Sequence, residues 1–321
     1  MSTGAKELSS RKKFNFRDIG ILLILIGLII VLAVMSESFR QPANLINIFK
    51  QAAINGILAT GMMFVILIGG IDLSVGAIVA IVGIVAAHLA QKDTTTPVIV
   101  PVVLAILTGL GIGLGNGALV AYAGIPSFIV TLGTQTIVRG CAYLLSGGKP
   151  IFNLSKDYEA IAGTNVGIIP MLVIYYIAIV LVTGFVLTKT VYGRRVYALG
   201  GNETAAKVSG INTKALTLSV FGICGLMAGV AGMLSASRTV SGSPVVGEGY
   251  ELDAIAAVVI GGFSMTGGSG KWWGTLIGAL ILAVIANGLD ILRVSTYYQY
   301  LIKGAIIITA VLLDIRSKAK Q

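Results

Sequence analysis

Polar residues are scarce enough in this chain that each one set in an apolar run is a candidate for chemistry. The stretch FVILIGGIDLSVGAIVAIVGI (64–84) places Asp72 among residues that are otherwise apolar or small, two positions after Gly69-Gly70 and two before Ser74. Glycine readily takes the left-handed conformation that closes a helix, so Gly69 and Gly70 can end one. Asp72 or Ser74 can then accept hydrogen bonds from the free N–H groups that open the next. The spacing predicts two helices joined by a tight connection. Such a break sits either at a surface or at membrane depth, where irregular backbone needs protein or a water-filled cavity to satisfy it. In the first case the carboxylate is a cap; in the second the broken segment lines a polar path. Arg139 poses a similar choice, with Thr131, Thr134 and Gln135 on the turns before it. An arginine inside an apolar segment faces a cavity or a partner, or snorkels to the surface. Asp72, Ser74, Thr134, Gln135 and Arg139 are therefore candidates for a translocation path. Glu251 and Asp253 open a later apolar segment, where acids suit the positive end of a helix dipole.

Other chemistries find little support. His88 is the single histidine, which excludes a histidine-rich metal site, and Cys141 and Cys224 lie far apart inside apolar runs, as packing residues do. No cluster of His, Cys and carboxylates suits catalysis, so the chain is not expected to be an enzyme. The run GLGIGLGNG (109–117) is no dinucleotide fingerprint, because no strand precedes it. Gly109, Gly113 and Gly117 instead share one helix face, as do Gly225 and Gly229, the spacing that lets helix backbones approach in lipid. GGSGK (267–271) is no phosphate loop, since Met265 and Trp272 occupy the positions that need glycine and Ser or Thr.

The elements that must hold these residues follow from composition. Of 321 residues 56% are hydrophobic and 11% charged, with a mean hydropathy of +0.94; soluble domains carry about a quarter charged residues. A membrane-spanning helix needs about 20 apolar residues, and ten such segments are expected, at 19–35, 53–70, 74–91, 97–122, 126–146, 168–188, 217–236, 252–266, 273–291 and 297–313. The alternating pattern of a membrane β-barrel is missing. The fold class is thus an all-α polytopic membrane protein. The net charge of +10 reads as orientation rather than nucleic-acid binding, because the basic residues gather at segment ends. Placing both termini in the cytoplasm puts fourteen basic residues in the inner segments against seven in the outer ones. The first segment is too long for a signal peptide and lacks a cleavage site. Residues 1–18 then form a basic cytoplasmic tail, 19–314 the transmembrane domain with a cytoplasmic loop at 189–216, and 315–321 a second tail. Spans two to five and seven to ten start on opposite sides, as an inverted repeat would.

The loop YGRRVYALGGNETAAKVSGINTKA (192–215) carries a short capped helix: Gly200-Gly201 break the chain, Asn202 is an N-cap and Gly210 a C-terminal stop. So short a helix is marginal alone in water, and its capping suggests a surface that docks.

Five stretches, GGIDLSVG (69–76), PSFIVTLGTQTIVRG (126–140), YALGGNETAAKVSGI (197–211), GYELDAIAAVVIGG (249–262) and GGSGKWWGTLIGALIL (267–282), resemble the monosaccharide permease subunits of ATP-binding cassette (ABC) importers, the ribose type in particular. The likeness runs from about residue 43 to 314. It implies a bacterial inner-membrane permease paired with a second copy or a paralogue. It further implies a cytosolic ATPase that binds ATP and Mg, and a periplasmic or lipid-anchored sugar-binding protein, with no cofactor in this chain and no nucleic acid. Gly201, Asn202, Glu203, Ala205, Ala206 and Gly210 would form the coupling helix seated in the ATPase. For Glu251 and Asp253 the alternative to the dipole reading is a pathway role or docking of the binding protein. Many ABC importers carry a contiguous Glu-Ala-Ala here, whereas Thr204 separates Glu203 from Ala205-Ala206. The rival readings are an ion-coupled carrier, with Asp72 and Asp290 as its titratable candidates, and a branched-chain amino acid permease of the same ABC class.

Overall fold

A computed structural model describes residues 16–93 and 95–318; the extreme tails predicted from the sequence lie largely outside these. All ten predicted apolar segments are helices: α1 (Phe16–Met35), α3 (Pro42–Leu67), α4 (Val75–Leu89), α5 (Ile99–Ala123), α6 (Ser127–Ser146), α8 (Met171–Lys189), α11 (Thr213–Thr239), α12 (Tyr250–Ile260), α13 (Trp272–Ile291) and α14 (Thr296–Lys318). Six of them, α3, α5, α6, α8, α11 and α13, are long and apolar enough to cross a membrane on their own. Short elements complete the described chain: α2 (Glu37–Arg40), α7 (Lys156–Gly163), a hairpin of β1 (Asn165–Val166) and β2 (Ile169–Pro170), α9 (Val191–Gly201) and α10 (Glu203–Val208).

The second span starts eleven residues earlier than hydropathy placed it, because Pro42 opens the helix at N1. The polar residues after it are accommodated in pairs: Asn44 and Asn287 exchange amide hydrogen bonds of 3.0 and 2.8 Å between α3 and α13. The eighth span is shorter than expected, since Gly261 and Gly262 end α12 at Ile260.

Packing supports the repeat. α11 packs on α3, α4 and α5, while α3 packs on α11, α12 and α13. The α4–α5 and α4–α6 contacts recur as α12–α13 and α12–α14. Directions agree as well. Gly109, Gly113 and Gly117 of α5 meet Gly229, Gly225 and Leu218 of α11, an antiparallel pair. Met63 and Thr275 likewise meet between α3 and α13, 3.6 Å from sulfur to hydroxyl. The predicted small-residue face is therefore the α5–α11 interface, whereas Gly111 and Gly115 face open space. α3 and α11 are central and α6 peripheral: 83% of the apolar window of α3 is buried, against 22% for α6. At one end α7 seals the bundle. Its buried Tyr158 donates to the Met233 carbonyl (3.0 Å), and Ser237 donates to the Tyr158 carbonyl (2.7 Å) while accepting from Ala162 N–H (3.0 Å).

Candidate functional site

The break before Asp72 follows local rules. Gly69 adopts φ +76°, and the N–H groups of Gly69 and Gly70 close back on the carbonyls of Ile66 and Val65, both at 2.9 Å. That is a Schellman stop, and it ends α3. Asp72 then folds its carboxylate onto the residue that opens α4, with Oδ1 accepting from both Ser74 N–H (2.9 Å) and Ser74 Oγ (2.6 Å). The expected cap is thus made by Asp72 on Ser74, and the Ser74 hydroxyl caps no helical N–H.

Depth answers the choice left open by the sequence. The Asp72 carboxyl lies against Cys224, the twelfth residue of the 27-residue α11. That point is about 16 Å from one end of α11 and about 22 Å from the other at ~1.5 Å per residue. The break therefore lies inside the bundle, and Asp72 and Ser74 are fully buried. The segment before α12 descends to the same level: Gly242 packs on Gly83 and Ala87, and Gly247 meets Gly76 backbone to backbone, where no Cβ would fit. α4 and α12 are half-length helices whose first turns meet within the bundle. The first N–H groups of each helix have no intrahelical acceptor there, so the meeting point attracts negative or hydrogen-bond-accepting groups.

Polar side chains from four helices gather around this point. The Asn116 amide on α5 donates to Ser74 Oγ (2.9 Å) and its carbonyl accepts from Thr134 Oγ1 on α6 (2.6 Å). Ser127 at the start of α6 accepts from Ile71 N–H (3.1 Å), and Thr131 donates to the Ser127 carbonyl (2.8 Å) beside the carbonyl of Ile71. Gln135 on α6 donates to Glu251 Oε1 on α12 (3.3 Å). Arg139 does not snorkel: its guanidinium turns inward onto the carbonyls of Pro244 and Val246, the segment that leads into α12. Asp72, Ser74, Thr134, Gln135 and Arg139 are thus brought into one neighbourhood. Asp72 Oδ2 and Glu251 Oε2 are buried without a nitrogen or oxygen partner among the described residues. The arrangement offers hydrogen-bonding groups inside an apolar bundle.

Glu251 and Asp253 stand in the first turn of α12, as expected of acids at a helix start. Both are buried, Glu251 against Gln135 and Asp253 in an ion pair with Lys303 of α14 at 2.9 Å. They tie α12 to α6 and α14. Asn116, Ser127 and Lys303 are the residues that sequence reasoning passed over. A lone asparagine one turn beyond Gly113 in an apolar helix was the available signal for Asn116.

The second candidate region is the 189–216 loop. Asn202 Oδ1 accepts from Ala205 N–H (2.9 Å), and Gly210 at φ +79° stops α10 with Ile211 N–H bonded to the Ala206 carbonyl (3.1 Å). Ala206 is buried and anchors the helix, Glu203 pairs with Lys207 at 2.9 Å in the open, and Val208 is 85% exposed. α10, six residues long, thus presents Glu203, Lys207 and Val208 to solvent and Ala206 to the bundle. One detail differs from expectation: Gly200 and Gly201 do not break the chain but complete α9, and the break falls at Asn202. The reason is tertiary, because Gly200 is pressed against the carbonyl of Leu67 and the amide of Gly268. A cleft of about 530 Å³ separates Glu203 and Lys207 of α10 from Ile68–Gly70 and from the turn between α5 and α6.

Residues 44–311 match the family described as branched-chain amino acid transport system / permease component. The chain belongs to this permease family. It is 40% identical to the ribose import permease protein RbsC of Bacillus subtilis over 97% of this chain and 98% of that one. It is 42% identical to RbsC of Haemophilus influenzae over 90% of each, and 39% identical to the D-allose transport system permease protein AlsC of Escherichia coli over 96% of each. No solved structure matches it. As a family member it is a multi-pass membrane permease, a transport component.

Proposed function

We propose that this chain is the membrane permease of an ABC importer for a monosaccharide, ribose first. The observation that carries the reading is identity near 40% along almost the whole chain to permeases named for ribose and allose. In this reading a separate ATPase docks on α10 through Glu203, Ala205 and Val208. Asn202 and Gly210 hold that helix in shape, Gly201 precedes it, and Ala206 anchors it from beneath. ATP and Mg belong to that ATPase, and an external binding protein delivers the sugar. Both termini and α10 face the cytoplasm, which the excess of basic residues on that side supports. The permease works with a second copy or a paralogue, and the Asp72–Arg139 neighbourhood serves the path. Half-helices meeting at depth are a recurring way to build a site between inverted repeats.

The family description favours a second reading, a branched-chain amino acid permease. One experiment separates these and the ion-coupled carrier. The tagged chain is purified from its own membranes in mild detergent, its partners are identified by mass spectrometry, and the complex is reconstituted with the co-purified binding protein. The sugar reading expects a P-loop ATPase in the complex and ATP-dependent uptake of labelled ribose that leucine does not compete. Leucine uptake instead establishes the amino acid permease. Uptake without an ATPase, abolished by a proton uncoupler, establishes the carrier.

A further inference from the structure

The importer reading requires movement at α10 to reach the break at Asp72, yet α10 does not press on that break: the 530 Å³ cleft lies between them. The covalent route leads into α11, which is locked against α3, α4 and α5, partly through glycine contacts with α4 and α5 that leave no slack. A third route is visible in α9. A Cβ on Gly200 would overlap the Leu67 carbonyl oxygen and stand 2.6 Å from Gly268 N. Gly268 N–H donates to that same carbonyl at 2.8 Å. One turn earlier on α9, Tyr197 OH donates to the Gly270 carbonyl at 2.9 Å.

These contacts join three segments at one point. Leu67 is the last residue of α3, immediately before the Gly69-Gly70 turn that leads to Asp72. Gly268 and Gly270 belong to the connection between α12 and α13. The end of α9 thus grips the connections that follow α3 and α12. Close-packed interiors transmit displacement, and backbone touching backbone has no flexible side chain to absorb it.

We infer that Gly200, set against Leu67 and Gly268, is the joint through which the stroke of α10 reaches both half-helix connections. Gly200 is a positioning residue that acts through Leu67 and Gly268. The cleft beside it gives α10 room to swing while the joint carries the motion to α3. This inference rests on the importer reading.

The test is the ratio of ribose taken up to ATP hydrolysed in the reconstituted complex, for wild type, Gly200→Ala, Tyr197→Phe and Gly115→Ala. The last adds the same methyl to an open face of α5, where nothing lies within 4 Å. Gly200→Ala is expected to co-purify the ATPase in normal amount and to hydrolyse ATP, with the ratio lowered about 2- to 30-fold, the range of substitutions along a coupling network. Tyr197→Phe, which adds no bulk, should lower it less, and Gly115→Ala should leave it unchanged. A Gly200→Ala complex with the ratio of Gly115→Ala overturns the joint. If Gly200→Ala does not assemble, Tyr197→Phe decides: a lowered ratio supports the joint and an unchanged one overturns it. A wild-type complex that neither holds an ATPase nor imports ribose overturns the importer reading itself, a distinct outcome.

Discussion

Adding one methyl group to α5 should have opposite consequences at positions two residues apart. A Cβ at Gly113 would overlap the Phe221 carbonyl and lie 2.8 Å from Gly225 Cα and 3.0 Å from Gly225 N. The obstacles are backbone atoms of α11, so no rotamer change relieves them. Ordinary contact needs about 3.4–4.0 Å, so the two helices must part by roughly 0.6–1 Å, and overpacking of this kind costs about 1–3 kcal/mol. The neighbouring glycine contacts of the same interface, at Gly109 and Gly117, would loosen with it. Gly115 meets nothing within 4 Å. There the substitution only removes backbone freedom from the unfolded chain, a gain of about 0.5–1 kcal/mol. Gly113→Ala should therefore lower, and Gly115→Ala hold or raise, the temperature at which half the detergent-solubilised protein stays monodisperse on size-exclusion chromatography. Equal stability of the two variants would refute the close α5–α11 approach.

Other perturbations address the polar contacts. Replacing Asn44 alone by leucine strands the amide of Asn287 and should cost about 1–3 kcal/mol, whereas Asn44→Leu with Asn287→Leu should recover much of it; thermal stability across the double-mutant cycle measures the difference. Asn116→Leu leaves Thr134 without its acceptor and removes a donor from Ser74, a loss of about 1–2 kcal/mol for two intramembrane hydrogen bonds. The expected result is a folded protein with reduced uptake, and unchanged uptake would take Asn116 out of the path. Glu203→Arg breaks an exposed pair with Lys207, worth about 0.3–0.5 kcal/mol, so membrane insertion and melting should hold while ATPase co-purification and uptake fall. A variant that transports normally would remove Glu203 from the coupling surface.

Much of the architecture was legible in the residue pattern because its causes are local. Apolar runs of membrane length are continuous in sequence, and Gly69-Gly70 stopping one helix, Asn202 opening α10 and Gly210 closing it act over three to five residues. The glycine ladder of α5 was legible too, since its period of four fixes a single face. Failures came where a local signal met a distant partner. Gly200-Gly201 reads as a break in isolation, but contact with Leu67 and Gly268 keeps both in α9. Glu251 and Asp253 open a helix as expected, but their partners Gln135 and Lys303, 116 and 50 residues away, are supplied only by the fold.

The sequence alone determined that this is a bundle of apolar helices, where the third helix breaks, and that a small capped helix stands in the basic loop. Tertiary structure alone decided that the break lies about midway along α11, that Asn116 bridges Ser74 to Thr134, that Arg139 turns inward, and that α9 touches two helix ends at once. Caps and stops are closed by backbone groups within a turn, so neighbouring residue types suffice to specify them. A side chain inside a nearly all-apolar bundle must find its partner across helices. Which partner it meets depends on helix direction and axial offset, and here those are set by which glycines let two backbones touch.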